Sequence, residues 1–111
     1  MIRNHQIIKD FLDKLVGDVF KILPLYEENN VGLEIYIDSI LFELNSYEEV
    51  VQANHSAEYV SLMLTLTSLK KEVSKSASEK KVIKREVFKC INIIKNMAGK
   101  LEQGINRGQV R

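Results

Sequence analysis

Residues 79–103 read EKKVIKREVFKCINIIKNMAGKLEQ, and their spacing decides the fold. At 100° per residue Ile83, Val87, Cys90, Ile91, Ile94, Met97, Ala98 and Leu101 gather on one side of a helical wheel, while lysines and Arg85 take the other. An amphipathic helix gains most of its stability by burying such a stripe, so this one demands neighbours of similar length. Ser76 followed by Glu79 has the spacing of a capping box, and Gly104 is a helix stop, which predicts a helix over about 77–103. Beyond it, 104–111 reads as a flexible basic tail carrying Arg107.

Three more stripes lie upstream. Ile7, Ile8, Phe11, Leu12, Leu15, Val16, Val19, Ile22 and Leu23 share half a wheel and predict a helix over about 4–23, with Asn4 as its N-cap. Pro24 disfavours helical geometry at Leu23, and Glu28-Asn29-Asn30-Val31-Gly32 supplies turn residues, so the break is expected between 24 and 32. Leu33, Tyr36, Ile37, Ile40, Leu41, Leu44 and Tyr47 predict a second helix over about 33–51. Asn54 or Ser56 would cap a third, over about 56–74, in which Tyr59, Leu62, Met63, Leu66, Leu69 and Val73 share a face that Val60 and Leu64 widen. That helix is expected to be the most buried, with Ser61, Thr65 and Ser68 on its remaining side. No strand alternation of useful length and no repeat occurs, which predicts an all-α, single-domain antiparallel four-helix bundle over residues 1–103.

Composition fits one core and no more. A chain of 111 residues and one cysteine buries enough surface to fold without a disulfide or a structural metal. The longest uncharged run, Tyr59–Leu69, is 11 residues and includes four hydroxyl side chains besides Tyr59, well short of the roughly 20 apolar residues that cross a bilayer. With no export signal at the amino terminus, the expected location is cytoplasmic. Ile, Lys and Asn together make 32 residues, a bias associated with AT-rich bacterial or phage genomes.

The formal charge of +1 hides a strong asymmetry. Residues 1–69 carry four basic and eleven acidic side chains, a net −7, and residues 70–111 carry twelve and four, a net +8. Either the basic half folds against the acidic half, with Glu43, Glu48, Glu49 and Glu58 as counter-charges, or it faces an anionic partner.

Chemistry is thin. His5 and His55 have no carboxylate or cysteine at a ligand spacing, which argues against zinc, haem and di-iron sites, and no cofactor is expected. Gly17, Gly32, Gly99, Gly104 and Gly108 form no phosphate-cradling loop. Cys90 sits inside an apolar stripe, where a thiol acts as a small hydrophobe, and Asp18 at the edge of the first stripe reads as a satisfied carboxylate able to reach a lysine. The chain is not expected to be an enzyme.

What remains is surplus apolar surface. Phe88 projects among Lys84, Arg85, Asn92 and Lys95, opposite the core stripe, and Ile35 with Phe42 form a second ridge on the far side of their helix beside Asp38, Ser39 and Ser46. An aromatic inside a basic stripe can anchor in a partner's pocket while its neighbours steer association. The expected function is a small intracellular protein-binding adaptor, inhibitor or regulator, using Phe88, Lys84, Arg85, Asn92 and Lys95 as one surface and Ile35 with Phe42 as another that suits a homodimer. The alternative is nucleic-acid binding through Lys80, Lys81, Lys84, Arg85, Lys89, Lys95 and Arg107. In size, helix count and Lys/Ile/Asn richness the chain also resembles bacteriocin immunity proteins, small helical bundles that protect a producing cell; that resemblance implies binding to a protein and carries no residue motif.

Overall fold

Four apolar stripes separated by turn signals should pair off, each helix lending its stripe to one shared core. The computed structural model describes the backbone of residues 2–29, 31–75 and 78–110 and the side chains of residues 6–29, 31–49, 57–75 and 78–100. It is all-α, and among the described residues there is no strand. The elements are α1 (Ile2–Phe20), α2 (Ile22–Glu27), α3 (Leu33–Ser46), α4 (Glu48–Ser74) and α5 (Lys80–Val110).

The expected helix over 4–23 is two elements. Pro24 has no N–H to give to the Phe20 carbonyl, so the helical register breaks at Lys21 and resumes at Ile22, where proline in a first turn loses nothing. α2 is capped at Glu28, whose N–H donates to the Pro24 carbonyl at 3.0 Å, while that of Asn29 donates to the Tyr26 carbonyl at 3.1 Å. Asn29 has φ 54°, the left-handed conformation asparagine tolerates better than most residues, which confirms the turn expected there. The first helix also begins earlier than Asn4, at Ile2, so Asn4 is inside it and not its N-cap.

The second interruption falls at Tyr47, with φ −104° and ψ 12°, rather than between 51 and 56. Its ring stacks on Phe11 of α1 with centroids 4.0 Å apart and planes 16° apart, pinning the corner to the core. α4 then starts at Glu48, so neither Asn54 nor Ser56 heads a helix. Yet α4 cannot be straight. A straight helix would carry Lys70 about 33 Å beyond Glu48, whereas Asp38 lies only about 15 Å before it along α3. The Lys70 ammonium nevertheless meets the Asp38 carboxylate at 2.7 Å. The chain direction must therefore change within the first turns of α4, near Asn54, the residue midway between the two partners in sequence. The polar cluster does mark the reversal, although the backbone stays helical around it.

Cross-helix partners give the topology. Lys14 of α1 reaches Glu43 of α3 at 2.8 Å, and the Tyr36 hydroxyl donates to the Asp18 carbonyl at 2.6 Å. Lys100 of α5 pairs with Glu58 of α4, and Lys80 at the other end of α5 pairs with Glu27 of α2. Neighbours run antiparallel in each case, the up-down-up-down bundle the pattern predicts. The helix expected over 77–103 starts at Lys80 and continues past Gly104 to Val110, so that glycine does not terminate it. Serine 76, the expected cap, lies outside the described residues.

Every expected core position of α5 from Ile83 to Met97 is buried, as are Leu33, Ile37, Ile40 and Leu44 of α3. Two expectations about burial fail. Ile7 of α1 is exposed, because its neighbour Ile8 already fills the inward direction. On α4, Val60 and Leu64 are exposed while Thr65 is buried. Thr65 goes inward at little cost because its hydroxyl donates to the Ser61 carbonyl one turn back, at 2.7 Å. Two small side chains, Ser61 and Thr65, suit a close approach of α5, and α4 rotates Leu64 out to present them.

Candidate interaction surface

Cys90 is fully buried, and burial pushes its thiol up to about 12, so it is no nucleophile in the folded state. The side chains of His5 and His55 lie outside the described residues. Among the described residues no group of three His, Cys, Asp or Glu is placed to hold a metal ion, and no helix is long and apolar enough to cross a membrane.

The acidic and basic halves do meet, and among the described residues one of the four counter-charges expected, Glu58, takes part. Glu43 takes Lys14 of its own half, Glu58 takes Lys100, and Lys80 takes Glu27, whose carboxyl is held below its ordinary range chiefly by that hydrogen bond. Glu48 and Glu49 stand exposed with no ion pair among the described residues. Asp18 pairs with Lys14 on its own helix at 2.9 Å rather than with α5. The Lys14 ammonium, hydrogen-bonded to Glu43 and then to Asp18, is held above the ordinary lysine range.

These pairs use the two ends of α5 and leave its middle unanswered. Lys81, Lys84, Lys89 and Lys95 are exposed and have no ion pair among the described residues; Arg85 reaches only its chain neighbour Glu86, at 3.6 Å. Glu86 is the one acidic residue of α5 from Lys80 to Lys100, and its side chain is only 17% exposed. The outward face of α5 is thus a run of cations over four turns.

Phe88 lies in the middle of that run and is 38% exposed. It is not alone. Phe20, at the end of α1 and 49% exposed, meets it edge to face, with centroids 5.8 Å apart and planes 86° apart. Beside the pair an open groove of about 520 Å³ runs between α4 and α5, lined by Ser61, Arg85, Phe88, Lys89, Asn92, Ile93 and Asn96. Five residues expected on one surface, Lys84, Arg85, Phe88, Asn92 and Lys95, are therefore together on exposed turns of α5.

Of the set expected for nucleic acid, Lys80 is diverted to Glu27, and the side chain of Arg107 lies outside the described residues. Sequence reasoning missed Phe20. Its signal was present: it falls off the centre of the α1 stripe just before Pro24, but which helix would lie alongside was not legible. Ile35 and Phe42 are both exposed, on the outer side of α3, away from the α5 face. Comparison with family models, with curated proteins and with solved structures gave no match, so this surface is read from its own chemistry.

Proposed function

We propose that the chain is a small non-enzymatic protein-binding module whose α1–α5 face takes an acidic protein surface, with an apolar side chain of the partner seated against Phe20 and Phe88. The observation that carries this reading is the exposed aromatic pair set among cations of which Lys84, Lys89 and Lys95 make no ion pair among the described residues. Aromatic anchors surrounded by charge are the usual centre of binding energy, and unpaired cations raise the rate of encounter with an anionic partner.

Nucleic acid is the second reading, because the same cations would attract phosphate. Against it stands Asp13, exposed on α1 seven residues before Phe20 and so on the same line of that helix. A phosphate backbone crossing from α5 to α1 would meet the Lys9–Asp13 pair and not a further run of cations, whereas a protein partner can answer both signs of charge.

The test pairs two measurements on the purified chain and in the cells that express it. A photo-crosslinking side chain at Asn92 should give a discrete protein adduct that Phe88→Ala removes, and labelled DNA or RNA should not shift at low salt. A shift that falls steeply as salt is raised would transfer the surface to nucleic acid. No adduct at Asn92 and no shift would overturn both readings.

A further inference from the structure

The outer side of the α3–α4 layer carries a second apolar surface. On α3, Ile35 and Phe42 are 73% and 76% exposed; on α4, Val60 and Leu64 are 46% and 66% exposed. Their placement follows from the Asp38–Lys70 ion pair, which marks the seam between the two helices. On α3, Ile35 and Phe42 fall within about 60° of Asp38 on the side away from the buried Ile37 and Leu44. On α4, Val60 and Leu64 fall about 80° and 120° from Lys70, again away from the buried Leu62, Leu66 and Leu69. Both pairs therefore look out from the same side of the layer.

The helices run antiparallel here, so levels can be compared along their axes. Phe42 lies about 6 Å from the seam pair and Leu64 about 9 Å, in the same direction, which puts the two side chains nearly level on adjacent helices. From Ile35 to Val60 the patch is about 20 Å long and two helices wide. Its four side chains expose on the order of 400 Å² of apolar area, the size of the largest patch on an ordinary monomer, which is often functional.

We infer that this face is the seat of a second copy of the same chain, in a two-fold dimer. Area is the first reason. A standard interface buries about 800 Å² per partner, with an apolar centre and a polar rim. Four apolar side chains supply about half of that, and the exposed Ser39, Ser46, Thr67 and Ser68, with the internally paired Asp38 and Lys70, supply polar surroundings.

Charge is the second reason. A two-fold axis sets a face against itself, so a self-pairing face must avoid a single sign of charge. The α5 face, with its run of cations, fails that condition, whereas the α3–α4 face meets it. Lys71 stands exposed toward one end of the patch, and Glu48 and Glu49 stand exposed level with Val60 at the other, about 15 Å from the seam pair. With the patch centre on the axis, the Lys71 end of one copy meets the Glu48–Glu49 end of the other. The dimer leaves the α5 face open on both copies, so it presents two equivalent binding faces.

Sedimentation equilibrium on the full chain, over nanomolar to high-micromolar protein, tests this. The expected result is a concentration-dependent dimer, with Phe42→Glu and Leu64→Glu each raising the dissociation constant at least tenfold. Phe88→Glu should leave the dimer unchanged. Circular dichroism on the two variants establishes that they keep their helicity; because both side chains point to solvent, they should. A milder Phe42→Ser should weaken the dimer in the same direction. A chain that stays monomeric at high-micromolar concentration overturns the inference. So does a dimer that ignores Phe42→Glu and Leu64→Glu, or one that Phe88→Glu dissolves. Because the two faces carry different residues, loss of the Asn92 adduct and loss of the dimer are separable results.

Discussion

The two outward faces of this bundle carry the same kind of surplus, large apolar side chains pointing to solvent, in opposite surroundings. On the α1–α5 side Phe20 and Phe88 touch each other and sit among cations, of which Lys84, Lys89 and Lys95 make no ion pair among the described residues. On the α3–α4 side Ile35, Phe42, Val60 and Leu64 sit among hydroxyls and the Asp38–Lys70 pair, and charges of both signs are present there. Exposed apolar area says that something covers a face, and the charge around it says what kind of thing. A cationic surround selects an unlike partner, and a neutral one tolerates a like partner.

α4 shows the sharpest contrast between inward and outward positions. Leu66 is fully buried and Leu64, two residues earlier, is exposed. Leu66→Ala should cost about 2–5 kcal/mol of unfolding free energy, and Leu64→Ala less than about 0.5 kcal/mol at protein concentrations too low for association. Urea titration of the two variants reads the difference directly. Equal losses would mean that α4 is rotated and that the α3–α4 patch does not exist.

The aromatic pair provides the next contrast. Phe88→Ala should cost about 1 kcal/mol, because the ring is partly buried and gives up an edge-to-face contact, while Phe42→Ala at the same low concentration should cost less than half of that. If both are silent, Phe20 and Phe88 do not hold each other and the α5 face loses its preformed anchor.

Beneath the cationic face lies Cys90, and its titration reports whether α5 is packed as described. Its folded-state thiol is raised from 9.0 to about 12, so between those values the folded chain keeps a proton that the unfolded chain releases. Stability from this group is fully present below about pH 9 and is lost as pH rises toward 12, by about 1 kcal/mol at pH 10. Thermal melts between pH 8 and pH 10.5 should show that decline in the parent chain and a smaller one in Cys90→Ala, which removes the thiol. Rapid modification of Cys90 by a thiol reagent at pH 8 in the folded protein would contradict its burial.

Smaller effects mark the solvent side of α1. A methyl group at Gly17 meets nothing within 4 Å, so Gly17→Ala should stabilise the helix by about 0.5–1 kcal/mol, seen as a higher midpoint in thermal melts. Lys80→Ala should leave the thermal midpoint nearly unchanged, since the pair with Glu27 is solvent-exposed. A larger loss would mean that the end of α5 depends on charge more than on its apolar stripe.

Several features were legible in one dimension. The α5 stripe, the turn at Asn29 and the surplus positions Ile35, Phe42 and Phe88 all follow from a 3.6-residue period and the backbone preferences of a few residue types, which act locally. The same spacing puts the start of the third helix at Asn54 to Ser56, whereas α4 starts at Glu48, after an interruption at Tyr47 that no turn signal announces. That residue has no turn propensity. It leaves the helix where its ring stacks on Phe11, a contact that exists only once α1 and α3 are packed.

Burial on α4 was misread for a related reason. Leu64 is more apolar than Thr65, and a wheel ranks it as core. Only the neighbour decides that a helix whose Ser61 and Thr65 allow close approach is worth more turned toward α5, with the threonine hydroxyl satisfied by its own backbone. Likewise composition showed an acidic half and a basic half, yet which cations remain free depends on where helix ends meet. Lys80 and Lys100 found carboxylates because they lie at the two ends of the contact along α5, and Lys84, Lys89 and Lys95 did not because they face away. Periodicity and turn chemistry are properties of the chain; pairing and exposure belong to distances between segments far apart in it, and folding alone sets those.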